Sequence, residues 1–124
     1  MANEIQYSFN IGLTNGLLSD KYNTASKANQ SNANMVRNTQ TLLSASAQGD
    51  QLDVGGVLVP GLAVFTNLDS TNFAEIGIIV SGTFYPFLKL LSGQSSGPLF
   101  LGATAIYGRA NTGNVKLFYI IYDT

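Results

Sequence analysis

Seven carboxylates, six cationic side chains and six tyrosines are the titratable side chains of this 124-residue chain, which has no histidine and no cysteine. The missing histidine removes the usual general base, metal ligand and neutral-pH switch. The missing cysteine removes thiolate chemistry, disulfides and thiolate metal sites. The acids are Glu4, Asp20, Asp50, Asp53, Asp69, Glu75 and Asp123. Asp50 and Asp53 could offer oxygens to a calcium ion. Their spacing fits no EF-hand loop, and the segment runs into Gly55-Gly56, so no metal site is expected. Asp69 heads Ser70-Thr71-Asn72 and should cap that turn through an Asx hydrogen bond. Glu75 falls within a strand pattern. Glycoside hydrolysis needs two acids facing one cleft, and no spacing here brings a pair together.

Nucleophilic chemistry finds no better support. Serines are plentiful, but no histidine activates one and no G-x-S-x-G elbow occurs. A serine paired with Lys21, Lys27, Lys89 or Lys116 is favoured by no spacing. Gly93-Gln94-Ser95-Ser96-Gly97 lacks the Lys-Ser/Thr ending of a phosphate loop and reads as a flexible turn. No catalytic residue and no cofactor are therefore expected, and the protein reads as a non-enzyme. Lys89, Arg109 and Lys116, on or at the ends of three late strands, could form a small basic stripe. With a net charge of −1, that is a poor footprint for nucleic acid.

The surface composition carries more. Charged residues are only 10% of the chain, while it holds 12 Asn, 11 Ser and 10 Thr. Average proteins carry about 25% charge, and interface cores are depleted in Lys, Glu and Asp. This points to a subunit covered by neighbours in an assembly. Residues 1–4 lack the basic start of a secretory leader. The longest mostly apolar stretch, Leu99 to Tyr107, is about half the length a spanning helix needs. The expected place is the cytoplasm, or outside it by a route that needs no signal, with no membrane partner.

The elements behind these residues are strands. Ile5, Tyr7, Phe9, Ile11 and Leu13 alternate strictly with Gln6, Ser8, Asn10 and Gly12, which predicts a half-buried strand with one apolar face. Asn15-Gly16 follows as a turn. Residues 19–41 are a polar, Asn-rich tract with no helical stripe. They read as an arm or one long loop, or as two polar edge strands with the second near 34–43; an arm of this kind could order as it docks on a partner. Beyond residue 50, short strands are expected over 52–59, with a break at Gly55-Gly56, and over 62–68, 73–80, 83–91, 99–109 and 114–122, with turn residues between them. Such punctuation predicts a single-domain, all-β antiparallel sandwich over 1–124. The last strand is apolar on both faces, so it is central or lies under a partner. Pro86 cannot donate to a ladder, so its strand is at an edge or bulged. Phe84, Tyr85, Phe87 and Leu88 around it cannot all face one core, which makes them the candidate interface.

Asn67-Leu68-Asp69-Ser70-Thr71-Asn72-Phe73, Glu75-Ile76-Gly77, Ser81-Gly82-Thr83-Phe84-Tyr85-Pro86-Phe87-Leu88-Lys89-Leu90 and the ending Val115-Lys116-Leu117-Phe118-Tyr119-Ile120-Ile121 occur in that order. This run, within residues 62–122, resembles one shared by small structural proteins of tailed bacteriophages. The resemblance implies a virion component with a β-sandwich or jelly-roll-like fold, assembled in the host cytoplasm. The expected role is capsid cement or decoration, bound to the major capsid protein or other virion proteins. A neck or tail adaptor is the alternative. A homotrimer is expected by analogy with the threefold joints of icosahedral shells. The other reading is a carbohydrate-binding module, perhaps receptor-binding, in which Tyr7, Tyr22, Tyr85 and Tyr107 would stack on sugar rings.

Overall fold

The computed structural model describes residues 3–44 and 47–124. The described residues form ten strands and no helix: β1 (Ile5–Asn15), β2 (Leu18–Ala28), β3 (Met35–Leu42), β4 (Asp50–Gln51), β5 (Pro60–Asn67), β6 (Ala74–Val80), β7 (Thr83–Leu90), β8 (Leu99–Phe100), β9 (Tyr107–Ala110) and β10 (Val115–Asp123). Strands β3 to β10 make two four-stranded antiparallel sheets, ordered β3-β10-β5-β8 and β4-β9-β6-β7. Apart from the β6–β7 hairpin, every step along the chain crosses from one sheet to the other. Eight strands wound in this order are a jelly roll. The all-β sandwich expected from strand spacing is the fold observed. β1 and β2 stand outside it and pair only with each other.

The core lies between the two sheets, and alternation explains who fills it. β10 is central, with β3 on one side and β5 on the other. Its Leu117, Tyr119 and Ile121 point inward and are fully buried. Phe118, Ile120 and Tyr122 point outward and are half-buried. The strand is central in its sheet, as one of the two expected readings had it, while its outward apolar side chains are only half covered. Leu42, Phe65 and Val115 join the core from the same sheet, and Ala74, Ile76, Leu90 and Ala110 from the other. Burying each large apolar side chain contributes roughly 1.5–3 kcal/mol.

Two expected strands are not continuous. Only Asp50–Gln51 pairs ahead of 52–59. Residues 52–59 instead cross between the sheets through a turn in which Gly55 N donates to Asp53 Oδ1 (2.9 Å) and Val57 N to Val54 O (3.0 Å). The 99–109 run splits into β8 and β9, which belong to different sheets. Around Gly102 and Thr104 the apolar run lacks alternation, and the chain uses that stretch to change sheets. The tract 19–41 is not one long loop: it contains nearly all of β2, a connection at 29–34 and most of β3. Asn15-Gly16 begins the return that pairs β2 with β1. Gly16 takes φ +59 and no positive φ occurs at Leu17, the pattern of a type II′ hairpin turn.

Polar groups inside the sandwich are satisfied in two clusters. The Tyr119 hydroxyl donates toward Asp53 O (2.6 Å) and lies 3.1 Å from both Gln40 Oε1 and Asn38 Nδ2, the latter donating to it. Burial is the main reason its pKa rises above the ordinary tyrosine value. Asn67 is fully buried; its amide donates to Asn72 O (2.8 Å), Leu90 O (3.1 Å) and Leu91 O (3.2 Å). It fastens the β5 end to the β7 end across the sandwich.

Candidate interaction surface

Strands β1 and β2 form a two-stranded ribbon, an arm separate from both sheets of the sandwich. Each of its strands has 11 residues, a length of roughly 35 Å at the rise of an extended chain. The register sets Ile5, Tyr7, Phe9, Ile11 and Leu13 opposite Ala28, Ser26, Thr24, Tyr22 and Asp20. Directly opposed residues share a face, so one face of the ribbon is apolar and also holds Leu18. The other face carries Gln6, Ser8, Asn10 and Thr14 with Ser19, Lys21, Asn23 and Lys27.

The apolar face is covered only near its base. Ile5 is buried, and Tyr7 meets Phe100 edge-on with ring centroids 5.9 Å apart. Asn3 N donates to Asn29 Oδ1 (2.8 Å) and Gln30 N to Glu4 Oε2 (3.1 Å), which tie the two ends of the ribbon together. The Gln30 N–H also holds the Glu4 carboxyl below its ordinary pKa. Further out, Phe9 leans on Tyr22 at 5.9 Å. Ile11 is 57% exposed, Leu18 59% and Tyr22 54%, and Leu17 at the turn is wholly exposed. The half-buried strand expected from alternation is therefore covered at its base and open along its outer half.

The connection from the arm to the sandwich is anchored by an acid that sequence reading did not single out. Asp123 is fully buried at the end of β10. Its carboxylate accepts from Leu58 N (3.1 Å), Ser31 Oγ (3.2 Å) and Asn32 Nδ2 (3.4 Å). Burial alone would raise its pKa, but these donors outweigh that cost and hold the carboxyl below its ordinary value. Nothing in the residue's neighbourhood in sequence signals this, because its donors come from 31–32 and 58.

The second open surface is the edge strand β7. Between Ile76/Leu88 and Gly77/Pro86 the register shifts, so Phe87 is the extra residue of a bulge. Pro86 thus sits on a strand that is both edge and bulged. Gly77 faces this bulge: a Cβ there would lie 2.7 Å from Pro86 Cα and closer still to Tyr85 O. The four candidate interface residues separate. Phe84 is buried under the Arg109 guanidinium, 4.6 Å from the ring centroid. Leu88 packs against the core. Tyr85 and Phe87 remain about half exposed. Beside them an apolar hollow of about 300 Å³ is lined by Ile78, Phe87, Leu99, Leu101, Ala103 and Ile106.

The charged candidates are spent locally. Glu75 lies between Lys89 and Arg109 in the register, and Arg109 Nη2 approaches its Oε1 at 2.9 Å. Lys89 Nζ sits 4.1 Å from the Phe73 ring centroid. Lys116 is on the outer face of the other sheet, so the three bases form no stripe. Asp50 Oδ2 accepts from Leu43 N (2.7 Å), and Asp53 turns to Gly55. Asp69 caps its turn as expected, accepting from Asn72 N (2.6 Å) and Thr71 N (2.9 Å), and these donors hold its pKa below the ordinary value. Among the described residues no three potential metal ligands converge. Nor is any helix there long and apolar enough to cross a membrane. Of the four tyrosines considered for sugar stacking, Tyr7 and Tyr22 belong to the arm and already lean on aromatic rings, while Tyr85 and Tyr107 belong to the β4-β9-β6-β7 sheet.

The two polar edge strands offered for 19–41 are β2 and β3, and what sequence reading missed is that β2 pairs with β1 to complete the arm. The available signal was the Asn15-Gly16 turn directly after a clean strand, which implies a returning partner even where that partner is polar. No family model, curated protein or solved structure matches the chain.

Proposed function

We propose that the protein is a non-enzymatic structural subunit of a tailed-bacteriophage virion, a capsid cement or decoration protein that binds the assembled shell and associates with itself. The observation that carries this reading is the arm: a jelly roll complete without it extends an amphipathic ribbon whose outer apolar half its own chain leaves open. A two-stranded ribbon is marginal in water unless its apolar face is packed, so the surface suits another protein subunit. The sequence resemblance over 62–122 supports the virion setting. The charge-poor surface agrees with many copies packed side by side, since little repulsion keeps them apart. Tyr85 and Phe87 on the β7 edge supply a second apolar contact, directed at the shell.

With so few charges, affinity should come from apolar burial, and salt should do little to it. The test is co-sedimentation with purified phage shells stripped of accessory subunits. The wild-type protein should pellet with intact shells and stay bound in ~0.5 M salt, where charges are screened beyond about 5 Å. The Tyr85→Ser/Phe87→Ser variant should remain folded and stay in the supernatant. Failure of the wild type to pellet, or its release by moderate salt, would defeat this reading.

A further inference from the structure

The geometry points to a second copy of this chain as the occupant of the arm's outer apolar face, with two arms packed face to face about a twofold axis. The inference rests on the arm as an assembly surface and is independent of any shell. Phe9, Ile11, Leu13, Leu18 and Tyr22 share that face, and together they leave roughly 500 Å² open, near the largest patch an ordinary monomer shows. Two such faces bury roughly 1,000 Å² between them, the area at which a specific interface begins. The ribbon pair reaches that threshold when both faces are fully covered.

The charges permit the same arrangement. Asp20 is the only charged residue on the outer part of the apolar face; Lys21 and Lys27 are on the polar face and stay in water. A twofold axis at the Ile11–Tyr22 pair seats Leu13 of one arm toward Phe9 of the other, Asp20 toward Thr24, whose hydroxyl can donate to it, and Leu18 toward Ser26. It keeps the two Asp20 carboxylates about four residue steps apart, roughly 13 Å, so they do not meet in the seam. Face-to-face packing of two ribbons needs about 10 Å between them, a gap that Ile, Leu and Tyr side chains fill. The type II′ turn leaves Leu17 beyond the end of the ladder, where it can lie over the partner's ribbon.

The absence of cysteine makes the test direct. In sedimentation at micromolar concentration the wild-type protein should have the mass of two chains. Ile11→Asp should reduce it to one chain with an unchanged circular dichroism spectrum. Under mild oxidation Ile11→Cys should cross-link to itself in high yield, and Asn10→Cys, on the opposite face, should not. A one-chain or three-chain mass for the wild type overturns the pairing. So does equal cross-linking from both faces, which would mean chance collision. A two-chain mass that survives Ile11→Asp also overturns it, since the contact would then lie elsewhere. Binding of monomeric protein to phosphatidylcholine/phosphatidylserine vesicles, abolished by Ile11→Asp, would assign the face to lipid instead.

Discussion

In β10, Leu117, Tyr119 and Ile121 alternate with outward-facing residues and are fully buried. In β1, Ile11 and Leu13 follow the same alternation and are exposed. The difference lies in what each strand has across from its apolar face. β10 has a second sheet, whereas the outer half of β1 has only water and the rings and methyls of its own ribbon. A period-two pattern specifies which side chains share a face and is silent about what covers that face. One region of the molecule thus packs its apolar face within the chain, and the other presents it to solvent.

This contrast predicts very different responses to substitution. The largest effect is expected in the sandwich: Phe65→Ala should cost about 3–5 kcal/mol, the usual range for emptying a packed aromatic site. Urea unfolding measures it, and the same assay on Ile11→Ala, run dilute enough to leave the arms unpaired, should give a change within about 0.5 kcal/mol. Comparable losses at the two sites would mean that the arm is part of the cooperative core.

Gly77→Ala comes next. The added methyl meets backbone at the β7 bulge, at Pro86 Cα and Tyr85 O, and backbone cannot rotate aside. A loss of about 1–3 kcal/mol is expected, read again by urea unfolding. A smaller cost, about 1–2 kcal/mol, is expected for Tyr119→Phe, which leaves Asp53 O and Asn38 Nδ2 without their buried partner.

Asp123 gives a dependence on pH. Its folded pKa is depressed, so its contribution is present above the unfolded value of about 3.9 and is lost as pH falls through the lower folded value. Thermal midpoints of the wild type should therefore drop below about pH 4, and Asp123→Asn should flatten that acid limb while starting lower at pH 7. Asp69 and Glu4 titrate in the same direction, so the limb should shrink without vanishing. The smallest effect is expected from trimming the arm. Replacing residues 10–23 by an Asn-Gly turn should leave the thermal midpoint of dilute protein nearly unchanged, because the strands removed pair only with each other.

Much of this division was legible in the residues. Strand punctuation predicted the sandwich, the two-faced ending predicted the central position of β10, and Pro86 marked an edge that is also bulged. Asp69 capped its own turn because an Asx turn is local. What stayed hidden depends on distance in sequence. The donors to Asp123 come from two remote connections, and Arg109 reaches Phe84 through a sheet register that no local pattern encodes. Segments 52–59 and 99–109 read as strands because apolar content alone does not say where a chain leaves one sheet for another. β2 was obscured by its polarity, since a strand that pairs only with one neighbour needs few apolar side chains of its own.

The central place of β10 also fixes an order of events during synthesis. β3 and β5 are neighbours only through β10, which is the last of the ten strands to leave the ribosome. Until Val115–Asp123 emerges, β3 has no ladder partner and β5 has only β8, and Phe65 lacks the Tyr119 ring it will lie beside, 6.4 Å away between centroids. The local hairpins, β1–β2 and β6–β7, can form on the microsecond scale as soon as they appear. Closing the sheet around β10 joins segments some eighty residues apart, and such non-local pairing is slow. A released chain truncated after residue 114 should therefore still protect the hairpin amides from exchange, while β3 and β5 remain open to protease.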